Sequence, residues 1–201
     1  MNLRSLRTGI ALSALIMMPL QGGAEGWSLE QSLELPSVDY KIQILQRVTE
    51  YAQSVADGIE VIDFRLRLES LTDGETLIND ALIPAQHGPY LIEPELKLSA
   101  DGKGWQLNYH RWAGAGTWVT TRVEFGFGLD APCFGLERYR ESHFHRVTHR
   151  THKIERNYKQ GINARYRLDE DGNRLLVDKV AISRNKPCIA NLVPAEWTTA
   201  P

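Results

Sequence analysis

Residues 38–70 read VDYKIQILQRVTEYAQSVADGIEVIDFRLRLES, and the period assigned to this stretch decides the fold. In its first part Val38, Ile42, Leu45, Val48, Ala52 and Val55 recur at intervals of three and four, the spacing that gathers apolar side chains on one face of a helix. Ser37 stands where an N-cap belongs, and Gly58 where a helix would end. In the second part Ile62, Phe64, Leu66 and Leu68 alternate with Asp63, Arg65, Arg67 and Glu69, the period of a half-buried strand. The expectation is an amphipathic helix over 38–57 followed by a strand.

Beyond this point the pattern is strand and turn. Glu95–Ser99 and Trp105–Trp112 flank an Ala-Asp-Gly-Lys-Gly turn, and Thr117–Phe127 places Val119, Thr121, Val123, Phe125 and Phe127 on one face. Arg138–Tyr158 is long enough for two strands with a break near His149. Asn163–Leu168 and Arg174–Ile182 flank Asp-Glu-Asp-Gly-Asn, a hairpin turn signal. No βαβ alternation occurs. The expected fold class is α+β: an N-terminal amphipathic helix packed on a curved antiparallel sheet of about eight strands. Residues 71–94 carry Pro84, Pro89, Pro94, Gly74 and Gly88 with little periodicity, and read either as a binding loop or as a meandering edge segment.

The 201-residue chain opens MNLRSLRTGIALSALIMMPLQGGAEG. Arg4 and Arg7 precede an apolar run from Gly9 to Leu20 that is shorter than the roughly 20 residues a membrane-spanning helix needs. Gly22 and Ala24 are small residues suited to cleavage. Residues 1–24 therefore read as a secretory signal peptide, with 25–201 as one soluble domain, periplasmic or secreted, without a transmembrane segment. Two cysteines, Cys133 and Cys188, are the whole complement. In an oxidising compartment they read as a structural disulfide, and their separation excludes a CxxC redox motif.

Charge is unevenly spread. Residues 25–100 hold fourteen acidic and five basic side chains, while residues 101–201 hold eleven acidic and sixteen basic. Such asymmetry marks either a polyanion-binding face or two halves that face each other in the fold. The basic excess centres on residues 137–167, where nine Lys or Arg residues meet Glu137, Glu141 and Glu155. Within it lies SHFHRVTHRTH, which gathers His143, His145, His149 and His152. Imidazoles alternating along a strand can chelate a transition metal, and Glu141 shares their face. Arg146 and Arg150 among them oppose a divalent cation, so a solvated polar strand is the simpler reading. A mixed Arg/His surface also suits an anionic ligand held more tightly in acid.

Alternation in WQLNYHRW–AGAG–TWVTTRVEF sets Trp112 with Gln106, Asn108 and His110, and Trp118 with Thr120, Arg122 and Glu124. The two indoles either offer flat surfaces to a ligand or form a cross-strand pair that stabilises the hairpin. Enzyme signatures fail: GxSxG, HExxH and a P-loop are missing from the sequence. Ser183–Lys186 matches SxxK but ends a strand. Asp169, Asp171 and Asn173 resemble a calcium loop only faintly, with Val180 where its glutamate belongs. A triad using His87 is open in any fold.

The function these residues point to is a non-enzymatic binding or accessory protein for an anionic or amphiphilic small molecule, lipid or glycan, or for a partner protein. Its expected contacts are Arg138, Arg140, Arg146, Arg150, Trp112 and Trp118. A histidine-cluster metal protein and a hydrolase with dispersed catalytic residues are the alternatives. No cofactor is called for, and nucleic acid is a poor partner in this compartment.

Overall fold

In the computed structural model the described residues are 26–50, 60–87, 92–114, 116–128 and 133–192. The expected signal segment 1–24 lies outside them, as do residues 51–57 of the expected helix and 88–91 of the irregular segment. The described residues contain twelve strands, one 3₁₀ turn and no α-helix. In chain order the strands are β1 (Ser28–Leu35), β2 (Tyr40–Glu50), β3 (Glu60–Ser70), β4 (Thr76–Asn79), β5 (Gln86–His87), β6 (Glu95–Leu98), β7 (Gly104–Trp112), β8 (Thr117–Gly128), β9 (Cys133–His145), β10 (Arg150–Asn157), β11 (Ile162–Leu168) and β12 (Arg174–Ala181). They form two antiparallel sheets. The first has the order β1-β2-β3-β4 with β5 also on β3, and the second runs β12-β11-β10-β9-β8-β7-β6.

Among the described residues the expected N-terminal helix is replaced by strand β2, and the α+β expectation gives way to a nearly all-β fold with two sheets in place of one. The reason lies in residues 40–49. Tyr40, Ile42 and Ile44 carry an alternation that the three-and-four spacing passes over, and Ile42, Ile44, Val48 and Thr49 are β-branched, which favours a strand. Ile42 and Ile44 are fully buried, while Val48, which a helical face would have covered, is 54% exposed. The register Ile42↔Leu68 and Ile44↔Leu66 then lays the two apolar rows side by side.

The interior lies between the sheets. Leu35, Ile42, Ile44, Phe64, Leu66 and Leu68 come from the first sheet, and Leu96, Trp105, Leu107, Phe125, Phe134 and Leu136 from the second. Trp105 stacks on Phe125 with ring centroids 4.4 Å apart, and Phe134 meets Trp105, Tyr40 and Phe127 edge-on. One edge is closed by Gln31, whose Oε1 accepts from the Leu96 amide at 2.6 Å. At the other, Asn79 Nδ2 donates to the carbonyls of Ile189 and Leu192. The Cys133–Cys188 disulfide, with Cα atoms 5.9 Å apart, fixes that C-terminal turn beside β9. Gly104 is required where β7 begins, because a Cβ there would sit 2.2 Å from the Phe125 carbonyl oxygen.

The irregular segment 71–94 contains β4 and β5 and adds them to the first sheet. The first sheet lies within the acidic half of the sequence, and the second, apart from β6, lies within the basic half. The surface they share is apolar, so ion pairs close within each sheet: Arg47–Asp63 and Arg65–Asp80 in the first, and Arg138 and Arg140 with Glu124 and Glu155 in the second.

Candidate functional site

Successive residues on a strand point to opposite faces, so the pairings along β7–β12 define rows of side chains across the outer face of the second sheet. The first row is aromatic: Trp112↔Trp118↔Phe144. The next is polar, His110↔Thr120↔Ser142↔Lys153↔Tyr166↔Leu176. The third is Asn108↔Arg122↔Arg140↔Glu155↔Ala164↔Lys179, and the fourth begins Gln106↔Glu124↔Arg138↔Asn157. A recess of about 240 Å³ opens on this face between Thr120, Arg122, Arg140, Ser142, Lys153, Glu155, Tyr166 and Arg174, and Glu141 and Ile154 line it as well.

The electrostatics of the recess are lopsided. Arg138, Arg140 and Arg174 share two carboxylates: Glu124 and Glu155 each lie 3.4–3.5 Å from Arg138 and Arg140, and Glu155 is also 3.5 Å from Arg174. Arg122 donates from Nε to Asn108 Oδ1 at 3.1 Å. Neither Arg122 nor Lys153 has a carboxylate within ion-pair distance among the described residues. Arg122 and Arg140 stand directly opposite each other on neighbouring strands, an arrangement of like charges that costs about 0.2–1 kcal/mol. Arg174 also lies over the Tyr166 ring, 5.4 Å from its centroid. Beside the recess Trp112 and Trp118 meet edge-on, with centroids 5.1 Å apart and planes at 76°, and His110 Nδ1 is 3.0 Å from Thr120 Oγ1. Burial holds the His110 imidazole below its ordinary pKa.

The structure brings together part of the expected contact set. Arg138, Arg140, Trp112 and Trp118 share the outer face. Arg150 pairs with His145 and so points to the inner face, and Arg146 lies in the β9–β10 turn, where its amide donates to the Gly116 carbonyl. Strand alternation splits the Arg/His run: Arg138 and Arg140 face out, whereas Glu141, His143 and His145 face in. Arg122, Lys153, Tyr166 and Arg174 complete the recess. Of these, only Arg122 carried a signal within its own strand, since it shares a face with Trp118. The others are brought in by strand order.

On the inner face His143 and His152 are cross-strand partners, and these two and His145 line a separate recess with Thr117, Thr148, Arg150 and Ile154. His143 Nε2 is 3.1 Å from Glu141 Oε2. His145 Nδ1 accepts from the Thr148 amide at 3.2 Å and so caps the turn, and His149 contacts the Phe144 ring. Among the described residues no three His, Cys, Asp or Glu side chains group in a way that could hold a metal ion. The calcium-like stretch is a hairpin turn whose Asp169 carboxylate accepts from the amides of Asp171 and Asn173 and from Asn173 Nδ2.

The buried polar cluster deepest in this sheet centres on Glu141. Burial opposes its charge, yet hydrogen bonds from His143 and Tyr139 and the nearby Arg111 guanidinium hold its pKa below the ordinary glutamate value. Burial also pushes the phenols of Tyr109 and Tyr139 up. Among the described residues no helix is long and apolar enough to cross a membrane. Compared with models of protein families, with curated proteins and with solved structures, the chain matches none.

Proposed function

We propose that the protein is a non-enzymatic binding protein of an oxidising, extracytoplasmic compartment, and that it holds an anionic ligand in the recess on the outer face of β8–β12. The observation that carries this reading is the excess of positive charge around Arg122, Arg140, Lys153 and Arg174, where Arg140 and Arg174 share Glu155 and Arg122 and Lys153 have no carboxylate within ion-pair distance among the described residues, next to an aromatic row. Charge-assisted hydrogen bonds from planar guanidinium groups suit carboxylate, phosphate or sulfate. The disulfide supports the compartment. The density of the interior argues against a lipid carrier: Trp105, Phe125 and Phe134 fill the space between the sheets that an acyl chain would need.

The test is isothermal titration of the purified protein with inorganic phosphate, sulfate and citrate at low salt, repeated with Arg122→Gln/Arg140→Gln. Binding that weakens with salt and is lost in the double variant supports the reading. Binding that survives the double variant unchanged would place the site elsewhere.

A further inference from the structure

We infer that the ligand of the outer face is an acidic oligosaccharide, laid along the strands with a sugar ring on the Trp112–Trp118 end and its anionic group between Arg122 and Arg140. This rests on the binding reading above and adds the ligand's chemical class. Three features of the face select it.

The first is spacing. Trp118 and Arg122 are four residues apart on β8, which at the rise of an extended strand separates the aromatic row from the arginine pair by about 13 Å. A single small anion engages one end of this track but not both, so an elongated ligand is required. The second is what lies between. The intervening row offers the Thr120 and Ser142 hydroxyls and the His110 imidazole, and Asn108 and Gln106 continue the polar surface beside it. Thr120 Oγ1 and His110 Nδ1 already meet at 3.0 Å, but an acyl chain crossing this row would still strip water from their remaining hydrogen-bonding capacity and from the Ser142 hydroxyl, which is unfavourable. Sugar hydroxyls donate and accept, and would replace the lost water. The third is the form of the site. The recess is smaller than the pockets that enclose drug-sized ligands, which run to roughly 300–1,000 Å³, so it grips one charged group while the rest of the ligand lies on the sheet. Half-buried indoles at the end of such a track present apolar ring surface to the apolar face of a sugar.

The charges complete the match. An anionic group seated between Arg122 and Arg140 relieves their mutual repulsion, and Lys153, without a carboxylate partner among the described residues, stands one row nearer the aromatic end. The Glu124 and Glu155 carboxylates already engage Arg138 and Arg140, and so set a limit on how many anionic groups the face accepts.

Tryptophan fluorescence and calorimetry with three probes test the inference: trigalacturonate, neutral maltotriose, and vesicles containing phosphatidylglycerol. Trigalacturonate is expected to bind, to change the tryptophan emission and to outbind maltotriose by tenfold or more. Arg122→Gln and Lys153→Gln should each weaken it about tenfold, and Trp118→Ala should weaken it in salt as strongly as in its absence. Lys97→Gln, on the same face outside the recess, serves as a control that should leave binding unchanged. Near-ultraviolet circular dichroism checks that each variant is folded. Binding of the vesicles through Arg122 without binding of trigalacturonate overturns the glycan assignment and leaves the anion-binding reading standing. Equal affinity for maltotriose overturns the acidic character. Failure of trigalacturonate, the vesicles and the simple anions together overturns both readings.

Discussion

Replacing Glu141 with glutamine tests how the second sheet tolerates a charge beneath its surface. The Glu141 side chain is 2% exposed, accepts from Arg111 Nη2 at 3.4 Å and lies 3.1 Å from His143 Nε2. Glutamine keeps the volume and removes the charge, so the perturbation is electrostatic. A hydrogen bond to a charged group contributes about 1.5–3 kcal/mol net. The Arg111 side chain is 28% exposed, so its guanidinium regains water when the carboxylate goes and its share is discounted. The expected loss at pH 7 is about 2–3 kcal/mol, below the 3–5 kcal/mol of a fully stranded buried charge. Because the folded-state pKa of Glu141 lies below its unfolded value, the carboxylate stabilises fully above an unfolded value of about 4.3. That contribution is lost as pH falls through the lower folded value. Urea denaturation of both proteins, followed by tryptophan fluorescence from pH 7 downward, should show a gap that is constant near neutrality and closes in acid. A gap under about 0.5 kcal/mol at pH 7, or one that widens on acidification, would refute the assignment of Glu141 as a buried, paired anion.

Ile44→Ala should cost about 2–5 kcal/mol by urea denaturation while Val48→Ala, at a position 54% exposed, stays within about 0.5 kcal/mol; equal costs would restore the helical face. Gly104→Ala should destabilise by about 1–3 kcal/mol through overpacking, because its Cβ would meet the Phe125 carbonyl oxygen, and a thermal midpoint equal to wild type would count against that contact. Removing the disulfide with Cys133→Ser/Cys188→Ser opens a loop of 55 residues, worth about 4 kcal/mol on the chain-entropy model; the double variant should lose that much in denaturant, and wild type should show no free thiols to alkylating reagents under non-reducing conditions.

Most strands of the second sheet were legible because each shows one apolar and one polar face at a period of two. Val119, Thr121, Val123 and Phe125 do so in β8, and the turn chemistry at Asp169–Asn173 marks the β11–β12 hairpin. The first sheet was half legible. β3 alternates from Ile62 to Glu69, but β2 satisfies two periods at once: Ile42 and Val48 belong to both, Leu45 fits only a helix, and Tyr40 and Ile44 fit only a strand. What decides between them is the partner strand, since Ile44 is buried only once Leu66 lies beside it, and a local period carries no record of that neighbour. The candidate site failed to read through for the same reason. Arg138 and His143 are close in sequence and on opposite faces, whereas Arg122, Arg140 and Arg174 are far apart in sequence and join one recess. An alternation count separates the first pair, but only strand order assembles the second group.

That assembly also bears on the proposed role of the recess. The strands β8 and β9 are held by their inner faces, where Val119, Val123, Phe125, Leu136 and Tyr139 are buried. Their outer residues are free to vary without loss of core packing, and a threonine or glutamine in place of Arg122 would keep the strand while removing a like-charge pair. Cross-strand neighbours elsewhere on this face lower the energy of the pair, as Glu124 opposite Arg138 does. Arg122 opposite Arg140 raises it. Glu124 and Glu155 offset part of this repulsion at Arg140 and Glu95 part of it at Arg122, and an anion arriving from outside the chain would offset more. The aromatic and hydroxyl rows along the same strands lie where the remainder of such a ligand would fall.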